Sequence, residues 1–327
     1  MNVMVTGAAG FIGSNLTAEL LRRGHSVVGL DDLSQGTMLN LATVVDHERF
    51  TFHRGDVRDA RTVDTAAAGA EVIVHLAAYK IPRYTDAYDT LMINALGSEV
   101  IAQTAARSGA KIVAASTSDV YGKNPSTPFR EDMDSVIGNP HVKRWAYAIS
   151  KMFEEQLLLA CHDRFGVDVV LLRFFGGYGP HQNLTWWGGP QSVFIEQALN
   201  DEPIPLHGDG SQTRSFTYVS DHVAGIVAAV ESDAADNLVV NLGHEQETSI
   251  RELALLVWRL VRGDGSEAKL ELVPYVSLGS YEDVERRVPD ITRARELLGF
   301  DPKVDLETGL RETIRWQIER RRMLEAG

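Results

Sequence analysis

By its thirteenth residue the chain has already narrowed what it can become. Met1-Asn2-Val3-Met4-Val5 reads as a short apolar strand and runs straight into Thr6-Gly7-Ala8-Ala9-Gly10-Phe11-Ile12-Gly13, after which a helical pattern covers residues 14–23. A strand, glycines spaced by three and a helix make the opening of a βαβ unit. Gly7 suits a tight turn, Gly10 lets the backbone come close to a pyrophosphate, and Gly13 lets helix pack on strand. The free N–H groups of the helix N-terminus then point at the phosphates. Glycines alone are weak signals, and it is their place between strand and helix that gives these weight.

The second strand, residues 26–30, ends in Asp31-Asp32, with Asp31 18 residues after Gly13. A carboxylate there accepts from the ribose hydroxyls of an adenosine and repels a 2′-phosphate, so NAD is expected rather than NADP. Asp56, just past a third strand at residues 50–54, is expected near the adenine edge. Further strands at residues 72–75, 111–115 and 167–173 alternate with helical patterns, for example 90–108. This alternation predicts an α/β fold: a Rossmann-type, doubly wound parallel sheet covered on both faces.

After Arg173 the texture changes. Residues 176–215 are rich in Gly, Pro, Trp and Asn, which suits a binding lobe. The expected division is an NAD-binding domain over residues 1–175, completed by about 216–245. A smaller, mainly helical substrate lobe would take residues 176–215 and 246–327.

The 327 residues carry a formal net charge of -13, which argues against a nucleic acid or an anionic membrane as partner. An anionic substrate would then need a local cluster of arginines. With one cysteine, Cys161, neither an intramolecular disulfide nor a cysteine-based metal site is expected, and no metal is called for. Cys161 is expected to pack in a helix. The first residues show no targeting pattern and no apolar run is long enough to span a bilayer, so a soluble, cytoplasmic protein is expected.

Two more segments carry the chemistry. Ala115-Ser116-Thr117-Ser118-Asp119-Val120-Tyr121-Gly122 follows a strand, and Tyr147-Ala148-Ile149-Ser150-Lys151 opens a helix. Tyrosine and lysine four apart share a helix face. An ammonium beside the phenol favours the phenolate, which would let Tyr147 act as a general base. Lys151 is also placed to hold the nicotinamide ribose, and Thr117 to share the substrate oxygen's proton. His75 reads as a structural residue at a strand end.

With these residues in view, the chain resembles the NAD-dependent epimerase/dehydratase family of extended short-chain dehydrogenases. The resemblance runs through residues 6–13, Asp31, Asp56, residues 75–78, residues 116–122, Tyr147, Lys151 and residues 208–221. It implies Thr117, Tyr147 and Lys151 as the catalytic set, with Asp119 a further candidate. It implies cofactor contacts from Gly7, Gly10, Phe11, Ile12, Gly13, Asp31, Asp32, Asp56, Val57, Leu76, Ala77, Ala78, Tyr147 and Lys151. A homodimer is implied too, pairing helices at about residues 90–108 and 145–162 into a four-helix bundle.

The family's chemistry starts with a proton leaving the sugar C4 hydroxyl while hydride passes to NAD. The 4-keto sugar then epimerises, loses water or loses carbon dioxide. Thr117-Ser118-Asp119 lacks the acid that 4,6-dehydratases carry at the second position, and it is close to the Thr-Ser-Glu of glucuronate decarboxylases. Residues 212–221 and Arg287-Val288-Pro289-Asp290 also look like those decarboxylases, whereas Lys80 resembles a loop of galactose-type 4-epimerases. The substrate would be a nucleotide sugar, UDP-linked, contacted by Lys80, Ser118, Arg214 and Arg287, the two arginines gripping the diphosphate. The leading expectation is a 4-epimerase on a UDP-hexose or UDP-hexuronate, followed by a UDP-glucuronate decarboxylase and then a dehydratase. Asp119 serves catalysis or bonds nearby backbone, and Trp186-Trp187 line the pocket or pack the lobe. An NAD-sensing regulator on the same fold is the alternative of a different class, and the intact Thr117, Tyr147 and Lys151 argue against it. One departure stands out: where the family often has Arg-Phe-Phe-Asn, touching the substrate phosphates, this chain has Arg173-Phe174-Phe175-Gly176.

Overall fold

The computed structural model describes residues 1–80, 86–278 and 282–325. Its centre is a seven-stranded sheet in which every pairing is parallel. Six strands come in chain order: β1 (Asn2–Thr6), β2 (Ser26–Asp31), β3 (Phe50–Arg54), β4 (Val72–His75), β5 (Lys111–Thr117) and β6 (Val169–Phe174). Across the sheet the order is β3, β2, β1, β4, β5, β6, and the strand Leu238–Leu242 closes the far edge on β6. The order reverses between β1 and β4, and the crevice above such a reversal is where open α/β sheets bind ligands.

Buried on both faces, the central strands are nearly all apolar, as in Val72–His75, where all four residues are buried. Alternate residues serve opposite faces. Val3, Val5, Val74, Val113 and Leu172 join one core, and Met4, Ile73, Ile112 and Leu171 join the other. The first core is covered by α1 (Phe11–Arg22) and the helix Val219–Glu231, the second by α2 (Ala60–Ala66), α3 (Ala87–Ser108) and α4 (Trp145–Phe165). Each fully buried aliphatic side chain contributes about 1.5–3 kcal/mol. Cys161 is part of the second core, and its thiol donates to the Ala102 carbonyl at 3.6 Å.

A third core gathers the helices Pro190–Leu199, Ile250–Arg262 and Leu306–Glu325 around Phe194, Leu253, Trp258 and Leu310. The middle helix starts on a capping box, with Ser249 and Glu252 bonding each other's backbone N–H. Short strands join this part to the sheet domain. Thr213–Ser215 runs antiparallel to Glu247–Ser249 and parallel to Arg286–Arg287, with Arg287 opposite Arg214. That register sets two candidate arginines side by side. No helix among the described residues is long and apolar enough to cross a membrane.

Candidate active site

The glycine turn does what its spacing requires. Gly7 has φ +69°, and a Cβ there would stand 3.0 Å from the Ala77 nitrogen. A Cβ on Gly13 would lie 2.0 Å from the Gly7 carbonyl oxygen, so only glycine lets α1 sit this close to β1. At Gly10 a Cβ would meet only the Gly7 oxygen, at 3.1 Å, and otherwise project into open space. No side chain caps α1 at its N-terminus, which leaves the donors of its first turn facing the cleft. This cradle and its neighbouring carboxylates suit NAD: Gly7, Gly10, Phe11, Ile12, Gly13, Asp31, Asp32, Asp56, Val57, Leu76, Ala77 and Ala78 all line one cleft of about 570 Å³.

Asp31 has a second task there. Its two carboxylate oxygens accept from the backbone of Ala9, at 2.9 Å, and of Leu33, at 2.8 Å, and so tie the turn to the end of β2. Burial raises its pKa, and those two N–H groups oppose the rise. Asp32 accepts from the backbone and hydroxyl of Ser34, and Asp56 is held by the Arg58 guanidinium, whose hydrogen bonds keep its pKa low.

The same cleft continues past Thr117, Ser118, Asp119 and Tyr147 to Arg214 and Arg287. Thr117 ends β5, and its hydroxyl accepts from the Asp119 backbone at 3.2 Å to start a short 3-10 turn. Tyr147 stands on the first turn of α4 and lines the cleft beside Thr117. Burial raises the phenol's pKa above the usual tyrosine range, Asp119 and Glu154 add to the rise, and Thr117 opposes it. Lys151 is placed otherwise than its spacing suggested. It is fully enclosed, does not line the cleft, and donates to both oxygens of Glu154 at 3.1 and 2.9 Å. A carboxylate three residues along the same helix thus takes up the ammonium.

Asp119 is held by guanidiniums, with Arg287 at 2.8 Å and Arg144 at 3.4 Å. Burial would raise its pKa, but Arg287, Arg144 and Arg214 outweigh it and hold the carboxyl below the usual range. Arg214 pairs with Asp283 at 2.8 Å and donates to the Val284 carbonyl, while Arg144 pairs with Asp283 at 3.1 Å. Lys80 borders the open cleft, so its surface is accessible. The protein atoms crowding its ammonium nevertheless lower its pKa, and Asp119 opposes them. The paired tryptophans do both things left open from the sequence. Trp186 stacks on His207 and packs against the third core, Trp187 meets Tyr79 edge-on at 5.1 Å, and both line the cleft.

The departure at Gly176 has a steric origin. A Cβ there would lie 1.9 Å from the Ser215 carbonyl oxygen, so no side chain can reach the substrate from this position. Arg173 just before it is structural, joined to Glu155 at 2.7 and 2.8 Å with its guanidinium over the Tyr121 ring. His75 is equally enclosed and bonds Thr6 at 2.8 Å. Sequence reasoning missed Arg144, Asp283 and Glu154. Only Glu154 left a readable signal, lying one helical turn from Lys151 on a face otherwise meant for packing.

A parallel sheet with a glycine cradle at its reversal and a Thr117–Tyr147 pair beside it defines a dinucleotide-dependent enzyme of the short-chain dehydrogenase class. The chain belongs to the NAD dependent epimerase/dehydratase family, whose model matches residues 3–243. It is 35% identical to a UDP-N-acetyl-alpha-D-glucosaminuronate decarboxylase of Bacillus cytotoxicus, over 96% of each chain. It is 36% identical to UDP-glucuronic acid decarboxylase 1 of Xenopus tropicalis, over 96% of this chain and 71% of that one. Among solved structures, UDP-glucuronic acid 4-epimerase from Bacillus cereus, in complex with UDP-glucuronic acid and NAD, superposes with a TM-score of 0.88 at 28% identity. That match covers 98% of this chain and 99% of the other. UDP-glucose 4-epimerase of Thermotoga maritima, with UDP-glucose, gives 0.87 at 29% identity, covering 98% and 99%.

Proposed function

We propose that the protein oxidises a UDP-linked hexuronate at C4 and releases its carboxyl group as carbon dioxide, a UDP-glucuronate-type decarboxylase. The observation that carries this reading is Asp119 clamped by Arg287 and Arg144 within a strongly cationic part of the cleft. Among the described residues, the carboxylates paired with or facing Arg144, Arg214, Arg287 and Lys80 are Asp119 and Asp283. The surplus positive charge suits a substrate with both a diphosphate and a carboxylate, in a protein otherwise strongly acidic. The Thr117-Ser118-Asp119 order and the names of the relatives at 35% and 36% identity support the same reading, so decarboxylation now stands ahead of epimerisation.

NAD, held by the glycine cradle and Asp31, would supply the hydride acceptor and donor. Tyr147 takes the proton of the C4 hydroxyl, with Thr117 hydrogen-bonded to the same oxygen. Arg214 and Arg287 bind anionic groups of the substrate, and Ser118 and Lys80 contact the sugar. A ketone at C4 makes the C6 carboxylate a β-keto acid, whose C5–C6 electron pair passes into the ketone as carbon dioxide leaves, and C5 of the resulting enolate then takes up a proton. Asp119 directs its charge at that region and disfavours a bound carboxylate more than the neutral product. A 4-epimerase is the second reading, favoured by the likeness to the Bacillus cereus enzyme. We also propose a homodimer through α3 and α4, and the division into an NAD-binding domain and a substrate lobe as drawn from the sequence.

The deciding experiment is incubation with UDP-glucuronate and NAD, followed by mass spectrometry and proton NMR of the sugar. Loss of carbon dioxide is expected. An unchanged mass with inverted C4 would replace this reading with the epimerase. Y147F should lower turnover by about 10²–10⁴-fold and leave NAD binding unchanged in a direct titration.

A further inference from the structure

Behind the cleft, on the sheet side of α4, lies a group of ionisable side chains that the proposed reaction does not touch. Glu154, His75 and Lys151 are each no more than 1% exposed. Neighbouring Glu155 is accounted for by Arg173 and Ser116. Glu154 is not part of that pair. Its Oε2 accepts from the Ser98 hydroxyl at 2.7 Å and from Lys151 at 2.9 Å, and its Oε1 accepts from Lys151 at 3.1 Å.

The proton on His75 can be assigned from its neighbours. The Thr6 hydroxyl oxygen accepts from the backbone nitrogens of Leu76 and Ala77, both at 3.1 Å, which uses both its lone pairs. Its own proton must therefore go to His75 Nδ1, 2.8 Å away. Nδ1 is then the acceptor and Nε2 carries the ring proton. Nε2 has no hydrogen-bond partner and lies 3.9 Å from Glu154 Oε2. Burial lowers the pKa of His75 to about 4, which keeps the ring neutral at ordinary pH. Glu154 thus faces one ammonium, one hydroxyl and the positive edge of one neutral imidazole.

A buried carboxylate is costly unless it is paired, and this one is paired with the lysine one turn from the candidate base. We infer that Glu154 is a positioning residue that holds the Lys151 ammonium on the sheet side of α4 and so decides how much of its charge reaches Tyr147. The inference rests on reading Tyr147 as the base. The other groups facing the phenol come from separate elements. Thr117 ends β5, and Asp119 lies in the following turn, itself faced by Arg287, Arg144 and Lys80. Glu154 is the one carboxylate on the phenol's own helix that raises its pKa. Its charge makes the phenol harder to ionise directly, and also indirectly, by occupying Lys151.

The test replaces Tyr147 with a fluorinated tyrosine, which ionises at lower pH than tyrosine, and follows its titration by fluorine NMR without substrate. E154Q keeps the shape and removes the charge, and the ring should then titrate about one pH unit lower. K151M should move it upward, because Glu154 is left unbalanced. The double variant K151M/E154Q removes both buried charges together and should return the titration close to that of the parent. It also remains informative if either single variant fails to fold. With unmodified Tyr147, the acid limb of kcat/KM should fall in E154Q by the same amount as the NMR titration. A titration unmoved in E154Q, or a double variant that titrates like K151M, would overturn the inference. Failure of Tyr147 as base would show instead as turnover surviving in Y147F.

Discussion

Asp119 sits between a cation cluster and a candidate base, and the two surroundings ask opposite things of it. Arg287 and Arg144 keep it ionised, and its ionisation makes the Tyr147 phenol harder to ionise. If its charge also opposes a substrate carboxylate, then D119N removes strain from the bound state as well as help from the reaction. Both kcat and KM for UDP-glucuronate should then fall, each by about tenfold, in steady-state kinetics. A rise in KM at constant kcat would make Asp119 a plain binding residue.

The ribbon formed by Thr213–Ser215, Glu247–Ser249 and Arg286–Arg287 is the smallest unit that carries both Arg214 and Arg287, and it is pinned from outside. Glu247 bonds Arg286 at 2.8 Å through both oxygens and also accepts from Thr213. The Arg286 hydrogen bonds lower its pKa from 4.5 to about 2. A carboxyl depressed on folding stabilises fully above its unfolded pKa and loses that contribution as pH falls towards its folded one. E247Q should therefore be less stable than the parent at pH 7, by about 0.5–1 kcal/mol for so exposed a pair. In urea unfolding the gap should shrink between about pH 4.5 and pH 2.

What could be read from the sequence divides along the same line. The glycine cradle, Asp31, β4 and the Tyr147 helix were legible because each depends on residues a few places apart, where period and spacing set the geometry. β3 and β4 fall where the alternation put them, at Phe50–Arg54 and Val72–His75. The partner of Arg214 was not legible, since Asp283 lies 69 residues away and only the fold joins them. Gly176 was visible as a departure, but its cause, the Ser215 carbonyl, belongs to a different strand. Lys151 shows the reverse difficulty: its spacing from Tyr147 was legible, but its ion pair with Glu154 on the same helix was not singled out.

Taken as a unit, the protein leaves apolar side chains uncovered on α3 and α4. Tyr88, Leu96, Ile149 and Phe153 are all exposed. Ile149 and Phe153 are four apart on α4 and so share one face. If these helices pair with those of a second copy, the double variant I149D/F153D should be a monomer in light scattering, while the parent has twice the mass. An unchanged mass would place any dimer contact elsewhere.

The closing strand Leu238–Leu242 carries a consequence for how the molecule is made. It is synthesised after the first segment of the proposed substrate lobe, residues 176–215, yet it completes the sheet on β6. Until it emerges from the ribosome, Val170, Leu171 and Leu172 form an apolar edge with unpaired backbone groups, the kind of surface on which chains stick to one another. A fragment ending at residue 175 would keep that edge for good. A cut at the proposed boundary would therefore leave the sheet one strand short, its last stave lying in the chain beyond residues 176–215.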